Sequence, residues 1–457
     1  MRPVLLWLRR DLRLHDHPAL LAAADSGAPV VPLFVVDPRL WAPALGPRQD
    51  RLAASLRALA GDLLDRYAVP LVIRHGSPAQ VVPSVAAEVG AGTVTLTAET
   101  TPYGRRRDAA VTAALGDRGV EIVARGTAYA IGPGTILTGG GTPYRVFTPF
   151  SRAWRSHGAP GPAPLPAQLQ GLTDVPSDPL PDPRDEASPA GEGAARARWR
   201  WFLEEGLAAY RSDRDRPDID GTSRLSEALK YGEIHPRTLL AELGAAEAAG
   251  SSTAAKFVTE LAWREFYADV LWHHPDSAWR DLRPMALDYD EPDERFVEWQ
   301  EGRTGFPFVD AGMRQLAQTG WMHNRVRMVT ASFLVKDLHV WWPHGARHFM
   351  ARLRDGDLAS NSHGWQWVAG TGTDAAPYFR IFNPVSQGQK FDPRGDYVRQ
   401  WVPELGHLPG AAVHEPWAHP QGYAAGYPAR IVDHAAERAE SLRRYAASRE
   451  TNQSTQG

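Results

Sequence analysis

The residues best suited to chemistry lie between Arg354 and Pro384, RDGDLASNSHGWQWVAGTGTDAAPYFRIFNP. Two carboxylates two apart (Asp355, Asp357), an amide (Asn361), two indoles (Trp365, Trp367) and the small-residue run Ala369 to Gly372 share this stretch. A hydrolytic site needs a nucleophile beside a base, and a metal site needs clustered imidazole or thiolate ligands; neither is visible here. What remains is a set of hydrogen-bonding groups among aromatic faces. That suits a flat heterocycle with polar edges, which Gly and Ala would let the backbone approach. Taken alone, the stretch also reads as a buried turn with core tryptophans. Two more segments favour the site. In Gly320–Asp337, GWMHNRVRMVTASFLVKD, Arg325 and Arg327 interrupt an apolar helical pattern. An arginine near a core face needs a carboxylate, and Asp355 or Asp357 could supply it. In Thr259–Tyr267, TELAWREFY, the residues Glu260, Trp263 and Arg264 fall within one helical turn.

These residues need a scaffold, and the first part of the chain has its own pattern. Short apolar runs at Val4–Leu8, Val30–Val36, Leu71–Arg74, Thr93–Thr97 and Glu121–Ala124 read as strands. Helical patterns at Pro18–Ala24, Gln49–Tyr67, Pro78–Val89 and Arg105–Arg118 separate them, which predicts βαβ units and a parallel sheet. No G-x-G-x-x-G follows the first strand, so a dinucleotide held by the usual phosphate turn is not expected there. Ile131–Arg145 reads as a glycine-rich turn and hairpin leading into a helix start at FTPFSRAWR. From His157 to Glu192, proline, glycine, alanine and aspartate dominate, as in a weakly ordered surface linker. After Ala194 the pattern is helical nearly to the end, with breakers at Gly221, Pro236, Pro275 and Pro307. The expected division is an α/β, Rossmann-like domain at 1–130, a linker at 131–195, an all-α domain at 196–450 and a disordered tail at 451–457.

Composition sets outer limits. A chain of 457 residues, 43% of them hydrophobic, can bury a large core. It has no cysteine, which excludes disulfides and thiolate metal sites. No apolar run is long enough for a membrane span, and MRPVLLWLRRDLR lacks a signal peptide's apolar core, so a cytoplasmic protein is expected. The net charge of −3 gives no global nucleic-acid signature, so any DNA contact must rest on a local basic patch. Of the 16 tryptophans, 11 lie after residue 260, where the candidate site is. His15, His17, His273, His274 and His363 show no spacing that makes a metal site. Thr222-Ser223-Arg224-Leu225-Ser226 opens a helix with hydroxyls and free amides; it reads as an N-cap or as an anchor for a pyrophosphate.

WMHNRVRM, DGDLASN, GWQW, TGTDAAPYFRIFNP and TSRLS together resemble the DNA photolyase and cryptochrome family, most closely class I cyclobutane pyrimidine dimer photolyases. The resemblance covers nearly the whole chain. It implies an FAD-binding helical domain and light-dependent repair, in which photoexcited reduced FAD passes an electron to a dimer flipped out of ultraviolet-damaged DNA. By resemblance Tyr210, Thr222, Ser223, Arg224, Leu225, Ser226 and Phe257 contact the flavin. Arg327 and Asp355 pair beside its ring, Asp357 borders it, and Asn361 lies next to the ring nitrogen that gains a proton. Glu260 hydrogen-bonds the dimer, Trp263 and Trp367 wall it, and Asn324 and Met328 line the same pocket. Arg214, Arg264 and Arg325 face the DNA or the cavity rim, with Glu260, Arg264 and Asn324 also near the cofactor.

Three other readings differ in what they require. A (6-4) photolyase would carry a second histidine where this chain has Asn324 and Met328. A cryptochrome photoreceptor shares fold and flavin but signals instead of repairing, and usually adds a C-terminal extension. A flavin-storing or merely DNA-binding protein would leave damaged DNA unchanged under light. For the antenna, the family's folate contacts are missing: Gly104 stands where a glutamate is expected, and Ala278-Trp279 follow His274-Pro275 in place of a cysteine–lysine pair. An 8-hydroxy-5-deazaflavin near Arg9, Phe34, Val36 and Glu99 is expected in place of methenyltetrahydrofolate, with an empty cleft or a second flavin as alternatives. Trp365 and Trp342 match the first two members of the family's electron-transfer chain, and Tyr289 stands where a third tryptophan is usual. Trp279 or Trp299 is the alternative exit. A monomer is expected.

Overall fold

The computed structural model describes residues 1–44, 46–182, 189–248, 250–374 and 380–454, so Ala375–Phe379 of the TGTDAAPYFRIFNP motif lie outside it. Its contacts divide the chain into two compact units, Met1–Ala208 with Ser223–Pro275, and Ala209–Thr222 with Asp276–Gly457. The first unit is built on five strands, β1 (Val4–Leu8), β2 (Val30–Val36), β3 (Val72–His75), β4 (Thr93–Ala98) and β5 (Glu121–Thr127). All pair in parallel in the order β3-β2-β1-β4-β5. Every residue of β1 and β2 is buried, as a sheet covered on both faces requires. Leu6, Leu8, Phe34 and Val36 enter one core with α1 (Pro18–Asp25) and α2 (Gly46–Tyr67). Leu5, Trp7, Val31 and Leu33 enter the other with α3 (Pro78–Glu88) and α4 (Pro102–Gly116). Helix α4 starts three residues before the expected Arg105, because Pro102 fits the first turn and Thr101 accepts from Gly104 N.

The stretch expected to be a weakly ordered linker is anchored where it passes the sheet. Val30 N donates to Gln170 O at 2.7 Å, Leu172 N donates to Val30 O at 3.4 Å, and Leu169 is buried in the first core. Backbone groups at the start of β2 would otherwise lack partners, and this segment supplies them. Composition alone missed it, because a few scattered apolar residues, Leu165, Leu169, Leu172 and Val175, pack on the two cores while Asp178 N donates to Ile73 O at 2.9 Å. The same unit holds α5 (Phe147–His157), α6 (Glu192–Trp201), α7 (Ser226–Tyr231), α8 (Pro236–Ala248) and α9 (Ser252–His273). A buried ion pair ties these helices to the sheet layer: Arg51 of α2 reaches Glu227 at 2.8 Å and Glu233 at 2.5 Å.

The second unit is helical. It contains α10 (Glu294–Glu301), α11 (Pro307–Thr319), α12 (Asn324–Ser332), α13 (Trp342–Arg352), α14 (Leu358–Ala369), α15 (Pro384–Phe391), α16 (Asp396–Trp401) and α17 (His434–Ser454). Its core gathers Trp299, Phe306, Phe308, Phe333, Trp342 and Phe349. Helix α17 runs through Ser454, so the expected disordered tail at 451 begins as helix. Extending a formed helix needs no new nucleus. Among the described residues no helix is long and apolar enough to cross a membrane.

A buried histidine makes the first unit sensitive to acid. His235 Nε2 donates to Thr127 O at 2.9 Å, which leaves Nδ1 to accept from Arg237 N at 3.2 Å. Burial pushes its pKa down to about 4 against the opposing pull of Asp16, and burial likewise pushes His17 down to about 4. The unfolded chain binds a proton at each histidine below about pH 6.5, while the folded chain does not until about pH 4. Between those values the unfolded state holds more protons, so stability falls as pH falls, by on the order of 2–3 kcal/mol per histidine. Burial raises the Asp16 carboxyl, but Ala163 N, which donates to it, and Arg237 hold it well below its usual range, so its contribution persists across this window. The urea midpoint should therefore drop between pH 7 and 4.5, and His235→Gln should flatten that drop. Identical pH slopes for both proteins would contradict the assignment.

Candidate functional site

Helix α9 carries the site residues of the first unit. Ser251 starts it by accepting from Ala254 N, and Phe257 packs in a ring cluster with Trp199 at 5.3 Å and Phe202 at 5.1 Å. One turn on, Glu260 is half-buried with Lys256 Nζ at 3.1 Å. Trp263 stacks on Phe147 at 3.6 Å with the planes 9° apart, which fixes its indole. Arg264 was expected at the DNA rim, but its guanidinium donates to Ala128 O at 3.0 Å and Leu229 O at 3.1 Å and lies over Tyr129. A cation that satisfies two carbonyls inside the unit anchors α9. Sequence reasoning missed its neighbour Glu265, which is buried and accepts from Ala130 N, Ile131 N and Gly132 N at 3.1, 3.0 and 2.6 Å. Asp269, four residues on, accepts from Gly134 N at 2.7 Å. Two acids at i and i+4 on a buried face, opposite a glycine-rich turn, were the available signal.

Ser223 to Ser226 form a turn that leads into the six-residue α7. Arg224 sits in the left-handed region at φ 51°, uncommon for a residue with a side chain. Arg198 Nε holds the turn by donating to Ser223 O at 3.0 Å. Thr222 belongs to the second unit, together with Tyr210, which is buried.

The second unit brings the other candidates together. Arg327 Nη2 meets Asp355 Oδ2 at 2.7 Å and its Nε donates to Met322 O at 2.8 Å. Asp355 is 5% exposed, and its Oδ1 is buried without a hydrogen-bond partner among the described residues. Asp357 caps α14 by accepting from Ser360 N at 3.0 Å, and Asn361 Nδ2 donates to Ala346 O at 3.1 Å. Asn324 opens α12, exposed, with its amide 3.9 Å from the Met328 sulfur. Arg325 Nη2 pairs with Asp215 Oδ1 at 3.0 Å, and Arg214 lies over Tyr210. Trp367 is half-buried with Arg380 over its ring.

The redox candidates are packed in the same unit. Trp365 meets Phe349 edge-on at 5.0 Å, and a Cβ at Gly345 would lie 2.2 Å from the Trp365 ring, so only glycine admits that ring against α13. Trp342 is fully buried and its Nε1 donates to Asp281 Oδ1 at 2.6 Å. Tyr289 Oη is buried without a hydrogen-bond partner among the described residues; burial and then the Asp281 carboxylate push its phenol above the usual range. Asp281 was not foreseen, because nothing in DLRPMALDY marks one acid over another. Trp299 is fully buried and donates to Thr330 O, whereas Trp279 is half-buried beside Arg347. Among the described residues no group of three or more metal-ligating side chains occurs.

At the carboxyl edge of the sheet, where the strand order reverses between β1 and β4, α/β folds place ligands. Arg9 stacks on Trp7 at 4.3 Å and pairs with Asp108 at 3.2 Å, while its buried Nε has no partner among the described residues. Arg10 lies 3.6 Å from Glu99, and Tyr103 donates to Asp37. A Cβ at Gly104 would stand 1.8 Å from Glu99 Cγ, so a glutamate at 104 is incompatible with the Glu99 conformer present.

Comparison with known proteins identifies the family. Residues 4–170 match the family profile described as DNA photolyase, and residues 257–447 match the FAD binding domain of DNA photolyase. The chain is 42% identical to the deoxyribodipyrimidine photo-lyase of Escherichia coli K12, over 97% of this chain and 98% of that protein. A bacterial class III photolyase from Agrobacterium tumefaciens superposes with a TM-score of 0.91 at 37% identity, covering 98% of both chains. An archaeal photolyase from Sulfolobus tokodaii, solved with two FAD molecules, superposes with a TM-score of 0.84 at 28% identity, covering 97% of this chain and all of that one. The chain belongs to the DNA photolyase family.

Proposed function

We propose that this protein is a light-dependent repair enzyme that splits cyclobutane pyrimidine dimers in DNA by electron transfer from photoexcited reduced FAD. The observation that carries the reading is the near full-length match to deoxyribodipyrimidine photo-lyase of E. coli. Reduced FAD, when bound, supplies the electron that opens the cyclobutane ring on illumination and takes it back afterwards. The residues present fit such a group. Asp355 keeps a buried acceptor oxygen that an N–H on the cofactor's edge would satisfy, and Arg327 holds that carboxyl group in place. Asn361 is a neutral amide that can donate or accept as the ring edge changes protonation. Tyr210, Thr222 and the turn from Ser223 to Ser226 would hold the phosphates, with Phe257 and Asp357 bordering the ring.

Toward DNA, the protein must receive a dimer taken out of the stack, a property of photolyases as a class and not a deduction from this chain. Glu260 would hydrogen-bond the dimer. Trp263, backed by Phe147, and Trp367 would wall it, with Asn324 and Met328 completing the pocket. Arg214 and Arg325 would meet backbone phosphates. For reduction of the oxidised cofactor, Trp365, Trp342 and Tyr289 would pass electrons inward. A tyrosine loses an electron readily only if its phenolic proton leaves too; the Asp281 carboxylate, which accepts from Trp342, would favour the positive charge left by electron loss, although it holds the phenolic proton of resting Tyr289 more tightly.

Ultraviolet-irradiated oligothymidylate, incubated with chemically reduced protein, should lose its dimers in blue light and keep them in the dark. No loss in light, with flavin bound and reduced, would sink the repair reading. In the same assay chemically reduced Trp365→Phe should repair nearly as the parent does, while light should no longer reduce its oxidised form. Photoreduction at the parent rate would remove Trp365 from the relay.

For the antenna, we propose 8-hydroxy-5-deazaflavin near Arg9, Phe34, Val36 and Glu99. The contact that excludes a side chain at Gly104, and the spare buried donor of Arg9, support this over a folate. Mass analysis of chromophores released from native protein should find the deazaflavin; a recovered folate would refute it.

A further inference from the structure

We infer that Asp215 competes with DNA phosphate for Arg214 and Arg325, and so sets how tightly the protein grips DNA and how readily it lets go. The inference rests on the reading above in which those two arginines face DNA. One oxygen, Asp215 Oδ1, serves both cations, with Arg325 Nη2 at 3.0 Å and Arg214 Nε at 3.9 Å. Each guanidinium also has an aromatic wall, Phe391 at 4.4 Å for Arg325 and Tyr210 at 5.6 Å for Arg214. The two charges are therefore held at a spacing that a single anionic oxygen bridges, and a phosphate oxygen offers the same acceptor to the same donors. Arg325 Nε, buried and without a hydrogen-bond partner among the described residues, leaves a further donor on the same guanidinium.

The carboxylate can be displaced. Its side chain is 35% exposed and those of the arginines 18%, so water and salt reach the group and the pairing is weak. The next cation, Arg216, does not share it, because Arg216 is held by Asp218 through Nε at 2.6 Å. The cluster of Arg214, Asp215 and Arg325 thus carries one net positive charge where its two cations alone would carry two. A phosphate that replaces Asp215 frees a carboxylate, which then gathers a cation from solution. That uptake offsets part of the counterion release that drives DNA binding. Repaired DNA is undamaged DNA, so a weaker grip on the backbone speeds the enzyme's departure from its product.

The test measures binding of undamaged and of ultraviolet-irradiated duplex by fluorescence anisotropy, across a series of salt concentrations. Asp215→Asn keeps the shape and removes the charge. It should tighten binding of undamaged duplex about threefold to tenfold, and steepen the slope of log K against log salt by up to about 1. Asp215→Glu keeps the charge and should bind as the parent does. Unchanged or weaker binding by Asp215→Asn overturns the proposal, as does an equal shift in the Asn and Glu variants, which would assign the effect to packing. Arg214→Gln and Arg325→Gln separate this from the reading beneath it. If neither weakens DNA binding, the arginines do not face DNA and that reading fails. If both weaken it while Asp215→Asn changes nothing, only the competition fails.

Discussion

A carboxylate kept out of water is the constraint on which the candidate site of the second unit depends. Asp355 is 5% exposed, and a buried carboxylate persists ionised only beside a cation. Arg327 provides it at 2.7 Å, and the pairing fixes two helices at once. Arg327 lies on α12 with Asn324, Arg325 and Met328, while the loop that holds Asp355 leads through the Asp357 cap into α14, which carries Asn361, Trp365 and Trp367. The loop is also tied to the end of α11 by Arg354 N, which donates to Gly320 O at 2.8 Å. Removing one partner of a buried pair costs about 3–5 kcal/mol, and the partial exposure of Arg327 puts this one toward the lower end.

Much of this was legible in the sequence because the chemistry demanded rare residues in rare places. Two arginines in an apolar helix require acids, and one of the two acids in the tryptophan-rich segment, Asp355, meets Arg327; Arg325 finds its partner elsewhere, in Asp215. The alternation of apolar runs with amphipathic helices placed the five strands within a few residues of their observed ends, since Val- and Leu-rich runs flanked by proline and glycine have few other solutions. The specific assignment to a family came from motifs, not from periodicity.

What was not legible shares a physical cause: it depends on which polar groups meet across long sequence separation. Nothing local distinguishes Asp281, which accepts from Trp342 Nε1, from the acids around it. Asp215 stands among alternating charges, and only the fold shows that it joins Arg325 while Arg216 is held by Asp218. Arg264 joins two carbonyls, Ala128 O and Leu229 O, that its place in the motif does not announce. The proline-rich connection was read as weakly ordered because composition counts apolar residues and does not weigh where one of them lands; Leu169 lands in the sheet core.

The most direct measurement of the central claim is flavin retention by Asp355→Asn, a change that keeps the side-chain shape and removes the charge that orients Arg327. Purified under the same conditions as the parent, the variant should keep its helical circular dichroism and show a much lower ratio of visible flavin absorbance to protein absorbance. Its dimer repair should fall in proportion. A full complement of flavin with repair at the parent rate would contradict the account.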